Sequence, residues 1–260
     1  MSGARVHASR EGPFATVHLD DPDRHNVLDR DGWLELARVL DDLGSDESLR
    51  CVVLRGVGGR AFSTGSDIRA FADQRDTPED VRRYSEAIGG ALAATARCPH
   101  PTVAVIEGLC VGGGLEIAAS CDLRICGASS RFGAPITRLG LTMSYEELTP
   151  LVGLLGPGPV LEVLLTGELI DAERAYQLGM VNRVAPDANV VVEGYALAAR
   201  VAEGAPLVNR WHKRFVRRLL ERRPPTDEER EEVHEAFQTR DYREGRAAFL
   251  EKRAPDFEGA

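Results

Sequence analysis

The chain of 260 residues has no run approaching the roughly 20 apolar residues that a membrane-spanning helix needs. Positive charge is short: 32 Lys and Arg stand against 41 Asp and Glu, a net charge of −9. That balance argues against a large nucleic-acid footprint, which needs a net basic domain. It leaves room for a small anionic ligand, whose binding depends on local charge. The five cysteines (Cys51, Cys98, Cys110, Cys121 and Cys126) are odd in number and form no Cys-x-x-Cys, so no metal cage is expected. They read as buried reduced thiols. No His-Glu-x-x-His is present for a zinc site, and no Gly-x-Ser-x-Gly for a hydrolase nucleophile. Tandem repeats and low-complexity tracts are absent. Met1-Ser2-Gly3-Ala4-Arg5 lacks the apolar stretch of a secretory signal, and a cytoplasmic location is the expectation.

What is there suits a folded domain with a sizeable core: 43% hydrophobic and 28% charged residues. Phe14-Ala15-Thr16-Val17-His18-Leu19 alternates as a strand and ends at the turn-forming Asp20-Asp21-Pro22-Asp23. Trp33, Leu34, Ala37, Leu40 and Leu43 recur at helical spacing over about 29–43. Short apolar strands are predicted at 51–55, 102–106 and 122–126, with a helix over about 78–96. This order implies an α/β core with parallel pairing. From about 187 onward the chain reads as helical, with Trp211, Phe215 and Leu219 on one face and Arg210, Arg214, Arg217 and Arg218 on a solvated side.

Two glycine-bearing turns carry the chemical interest. Ala61-Phe62-Ser63-Thr64-Gly65-Ser66-Asp67-Ile68 follows a strand. Gly65 can adopt a backbone shape closed to other residues, and Asp67 can cap a helix start. The second, Gly108-Leu109-Cys110-Val111-Gly112-Gly113-Gly114-Leu115-Glu116-Ile117-Ala118, joins a strand to an apolar helix through three consecutive glycines. Each costs roughly 0.5–1 kcal/mol relative to alanine, a cost that suggests close approach by a ligand or another backbone. Helix starts of this kind present N–H donors to an anion. Glu116 is the one polar residue on its apolar run and needs a reason.

Taken together, Ala-Phe-x-x-Gly-x-Asp-Ile and, some forty residues on, Gly-x-x-x-Gly-Gly-Gly-x-Glu-Ile-Ala-x-x-Cys-Asp-x-Arg (Gly108 to Arg124) resemble the enoyl-CoA hydratase/isomerase (crotonase) superfamily. Further segments extend the resemblance over nearly the whole chain. They are Asp23-Arg24-His25-Asn26-Val27-Leu28, Arg131-Phe132-Gly133-Ala134-Pro135, Leu164-Leu165-Thr166-Gly167 and the closing Phe249-Leu250-Glu251-Lys252-Arg253-Ala254-Pro255. The resemblance implies a crotonase-like α/β fold of repeated ββα units forming a spiral core over 1–195. A helical C-terminal region over 196–260 would pack on the core or on a neighbouring subunit. It implies an acyl-CoA thioester substrate, no cofactor beyond the CoA the substrate carries, and a homotrimer or dimer of trimers.

By the same resemblance, the backbone N–H groups of Ser66 and Gly113 form an oxyanion hole, and Glu116 is the first of two acid/base glutamates. Pre-aimed donors of this kind are each worth roughly 2.7–4 kcal/mol, and acid/base groups about 10²–10⁴-fold in rate. Contacts to CoA are implied at Arg24, Ser66, Asp67, Ile68, Gly113 and Lys252. One departure stands out: the second glutamate's place after Phe-Gly-x-Pro holds Ile136, and the later Pro-x-x-Gly-Gly is replaced by Leu141-Thr142-Met143-Ser144-Tyr145-Glu146-Glu147. Three alternatives stay open. Glu146 or Glu147 reaches the site from another position; or Glu116 acts alone, with Ser144, Tyr145 or Ser66 placing a water or proton; or the chain runs another enolate reaction, such as decarboxylation or carbon–carbon cleavage. A member that binds acyl-CoA without turning it over is the non-enzyme alternative.

Overall fold

The computed structural model describes residues 6–221 and 223–260. Strand β1 (Val6–Glu11) turns into β2 (Phe14–Leu19), and α1 (Arg30–Gly44) leads to β3 (Cys51–Gly56) and β4 (Ala61–Ser63). The short α2 (Phe71–Gln74) and long α3 (Pro78–Arg97) follow. Then come β5 (Thr102–Ile106), β6 (Leu109–Val111) and α4 (Gly113–Ser120). A third such unit is β7 (Leu123–Gly127), β8 (Arg131–Gly133), α5 (Tyr145–Leu155) and α6 (Pro157–Thr166). After β9 (Ile170–Asp171), α7 (Ala172–Gln177) and β10 (Arg183–Ala185), the chain is helical: α8 (Val190–Ala202), α9 (Pro206–Leu220), α10 (Asp227–Glu231), a 3-10 stretch and α11 (Arg240–Glu251).

The first strand of each unit joins a six-stranded sheet of order β1-β2-β3-β5-β7-β10, parallel except for the β1 edge. The second strand joins a smaller sheet, β4-β6-β8-β9. The expected repetition of ββα units is therefore the architecture. Burial explains the apolar strands, because both faces of the large sheet are covered. Val52, Leu54, Ala104 and Ile106 face the main core beneath α1, α3 and α4. Cys51, Val53, Val103 and Val105, one residue out of step, pack beneath α8. All five cysteines are buried and free. No helix among the described residues is long and apolar enough to cross a membrane.

Two expectations meet different geometry. The boundary expected at 195/196 falls inside α8, whose Val190 and Leu197 pack in one cluster with the sheet, so that helix belongs to the core. The basic side of α9 is also not simply solvated. Arg210 donates to Glu47 O at 2.7 Å, and Arg217 donates to Ser120 O at 2.8 Å. Lys213 and Arg217 converge on the Asp122 carboxylate at 2.7 and 2.9 Å. These charges hold α9 on the core, while Leu219 on the apolar stripe remains 64% exposed.

Candidate active site

The two glycine turns meet at the ends of β4 and β6. Asn26 is buried, and its amide donates to Ala61 O at 2.8 Å and Val57 O at 3.0 Å, which fastens the segment before α1 against β4. Leu28 N donates to Gly65 O and Asp67 N to Leu28 O, both at 2.8 Å. This pair flanks Ser66 and leaves its own N–H unspent among the described residues. Gly65 has φ +82, and a Cβ there would stand 2.4 Å from Gly113 N. Only a glycine allows the two turns to approach so closely. Trp33, fully buried on α1, floors the second turn: a Cβ on Gly113 would come within 2.7 Å of its ring. The Gly113 N–H opens α4 and is likewise unspent on a described residue.

Glu116 lies in the first turn of α4 and is 2% exposed. Its Oε2 is buried without a hydrogen-bond partner among the described residues. Burial raises its pKa well above the ordinary carboxylate range; the negative charge of Glu147 adds to this and Arg75 opposes it. Glu147 comes from the first turn of α5, where its carboxylate accepts from Ser144 N at 2.7 Å in a reciprocal cap. Glu147, on α5, is thus the carboxylate whose charge is felt at Glu116.

Two aromatic residues and Arg75 complete this wall. Tyr84 of α3 is fully buried, and its hydroxyl donates to Leu28 O at 3.1 Å. Burial raises the phenol's pKa, against the neighbouring Ser66 hydroxyl, Arg75 and Trp33. The Arg75 guanidinium stacks on Tyr84 and on Phe71. Burial lowers the Arg75 pKa, against Tyr84, Glu147 and Glu116. No sequence pattern marked Arg75 or Tyr84: Phe71 is near both in the chain, but Leu28, Glu116 and Glu147 lie far along it.

The family model described as enoyl-CoA hydratase/isomerase matches residues 10–260. The chain belongs to the enoyl-CoA hydratase/isomerase family. A solved structure titled an enoyl-CoA hydratase/carnithine racemase, from Magnetospirillum magneticum, is 41% identical with a TM-score of 0.97, covering 100% of this chain and 97% of that one. A crotonyl-CoA hydratase of Syntrophomonas wolfei is 28% identical over 99% of both chains. A short-chain-enoyl-CoA hydratase of Clostridium acetobutylicum is 28% identical over 94% of both.

The other sequence candidates in this hydratase/isomerase family member fall at varied places. Asp67 caps the 3-10 turn that follows it, accepting from Arg69 N at 3.1 Å, and Ile68 is 54% exposed on the same turn. Arg24 donates to Asp67 at 2.6 Å and pairs with Asp21, so two carboxylates already neutralise it. It braces the Ser66 turn and is not a free cation. Lys252 ends α11 in left-handed backbone, φ 57, with an exposed side chain. Ser144 is committed to capping α5. Tyr145 is 86% exposed, and Glu146 points to α3 near Gly89, so neither is brought to Glu116. Ile136 is half-buried on the 3-10 turn Pro135–Leu139.

A large cleft of about 1180 Å³ lies at the other end of α4, between α3, α5 and α9. Leu92, Ala96, Leu148, Val152, Val216 and Leu220 help line it, whereas Ser66, Gly113 and Glu116 do not. Unspent polar groups therefore mark the candidate site better than cavity size. Among the described residues no cluster of His, Cys, Asp and Glu suits a metal ion.

Proposed function

We propose that the chain binds an acyl-CoA thioester with its carbonyl oxygen between the Ser66 and Gly113 N–H groups, and that Glu116 moves a proton at the α-carbon of the resulting enolate. The observation that carries this reading is the close packing of the two turns that bear the unspent Ser66 and Gly113 N–H groups, with a buried carboxylate in the first turn of α4 that has an unpartnered oxygen. Donors fixed in place before charge develops on the oxygen lower the barrier without reorganising. The dipole of α4 adds to the Gly113 donor.

For hydration of an enoyl thioester, the protonated Glu116 delivers a proton to the α-carbon while Glu147 accepts one from the attacking water. Two carboxylates in unlike environments suit this division of labour. The chemistry needs no cofactor beyond the CoA within the substrate. A homotrimer or dimer of trimers is the proposed assembly.

A second reading is favoured by the apolar Ile136 in the place of the family glutamate: decarboxylation or carbon–carbon cleavage, which needs the enolate hole and a single proton donor. Turnover of enoyl-, malonyl- and β-hydroxyacyl-CoA thioesters separates the two. Glu116→Gln and Glu147→Gln should each slow hydration about 10²–10⁴-fold, whereas cleavage should survive Glu147→Gln. Binding of these esters without turnover of any would leave a pure binding protein.

A further inference from the structure

The turn between α2 and α3 holds a cation that the proposed chemistry leaves unused. The guanidinium carbon of Arg75 lies 4.1 Å from the centre of the Tyr84 ring and 4.3 Å from that of Phe71. The rings meet edge to face, with centres 5.7 Å apart. The backbone around it is fastened at both ends: Arg75 N donates to Phe71 O at 2.9 Å, and the preceding Gln74 side chain accepts from Arg30 N at 2.9 Å. The Tyr84 hydroxyl shares Leu28 O with the N–H of Asp67, next to Ser66. The platform under the guanidinium is therefore built into the candidate oxyanion turn.

Arg75 nonetheless meets no acceptor among the described residues. Its Nε is buried and unpartnered, and none of its nitrogens pairs with a carboxylate among the described residues. Glu116 and Glu147 act on it through space without reaching ion-pair distance. Cation–π contacts offset only part of the cost of burying a guanidinium. Its flat fork of donors matches a carboxylate, two bonds at a time.

We propose that Arg75 is a specificity-determining residue that grips a second carboxylate on the acyl group while the thioester carbonyl sits at Ser66 and Gly113. The inference rests on the acyl-CoA reading above and narrows the substrate to monothioesters of dicarboxylic acids. An arginine paired with a carboxylate stabilises its charge in the ground state, so this carboxylate is retained through the reaction and does not leave as carbon dioxide.

Calorimetric titration with succinyl-CoA and butyryl-CoA tests this, because the two acyl chains have the same number of carbons and differ at the end. The protein should bind succinyl-CoA about 10- to 100-fold more tightly, the range of a charge-assisted contact. Arg75→Met should erase the difference, and Arg75→Lys should restore part of it. Equal affinities in the unaltered protein overturn the proposal without need of any variant. So does a preference that survives Arg75→Met. Equal weakening of both esters and of free CoA would assign Arg75 to the nucleotide and likewise overturn it. If crotonyl-CoA is hydrated while no carboxylate preference appears, only this inference falls. If no thioester binds or reacts, the acyl-CoA reading falls with it.

Discussion

Glu116 is a carboxyl group that folding forces into a buried helix start, and its two protonation states differ in consequence. Its folded pKa is raised above the ordinary value by burial first and by Glu147 second. The neutral form is therefore the one folding favours. Its contribution is complete below the unfolded carboxylate value of about 4.3 and is lost as pH rises through the folded value. Glu116→Gln stays neutral throughout. Urea midpoints should thus show the variant gaining on the unaltered protein as pH rises above the unfolded carboxylate value of about 4.3; a difference that does not change with pH would contradict the burial argument. In turnover assays the same variant should lose about 10²–10⁴-fold in kcat with little change in KM.

Gly65 tests the hole rather than the carboxylate. A methyl group there would lie 2.4 Å from Gly113 N on backbone with φ +82, so the turns would have to separate. Gly65→Ala should cost about 1–3 kcal/mol in stability. It should also cost about 10²-fold in rate, because displacement by about an ångström spoils alignment. Full activity with a lowered melting temperature would mean that the Ser66 and Gly113 amides do not hold the reacting oxygen.

At the scale of elements, the sequence was most legible where burial imposes a pattern. The runs at 51–55 and 102–106 and the helix around Trp33 emerged as expected, because each packs against the large sheet or forms part of it, although Leu34 of the expected stripe is exposed and Leu36 and Val39 are buried in its stead. The strand expected at 122–126 begins one residue later, since the Asp122 carboxylate accepts from Thr102 N at 2.8 Å. The second sheet was hidden because its strands hold only two or three residues each, too few to show a period. The role of Lys213 and Arg217 on α9 was hidden for another reason: Asp122, their anchor, lies about ninety residues earlier.

That anchor gives the element-scale prediction. Lys213 has a side chain only 8% exposed and loses its counter-charge if Asp122 is removed. Asp122→Ala also strips the cap from Thr102 N and Oγ1. Breaking a buried pair from one side costs about 3–5 kcal/mol. Denaturant unfolding should register a loss of that size, while removal of both charges in Asp122→Ala/Lys213→Met should cost less than the single change. A double variant as unstable as the sum of its parts would show that no coupling exists between α9 and the core at this point.

For the whole molecule, the paired glycine motifs were sufficient to place the chain in its family, and the turns they mark pack against each other, because backbone geometry of that kind is recorded in sequence spacing. They gave no sign of the stacking of Arg75 on Phe71 and Tyr84, and they left Glu146 and Glu147 undistinguished, since helix rotation decides which way each of two adjacent carboxylates faces. The same folded chain also leaves much apolar surface unpaired. On α11, Asp241 and Ala248 turn inward while Phe249 is 83% and Leu250 is 73% exposed. Val216, Leu219 and Leu220 on α9 are 60%, 64% and 58% exposed, and Leu165 on α6 is 72% exposed. Burying one such side chain fully is worth about 1.5–3 kcal/mol, so several exposed on the same helices favour association. Sedimentation at micromolar concentration should therefore yield three or six times the 28.3 kDa chain mass. Charged replacements at Phe249 and Leu250 together should shift the distribution toward smaller species, as the apolar gain is exchanged for buried charge. A single species at the mass of one chain, unchanged by those replacements, would mean that the helical region serves only the subunit that carries it.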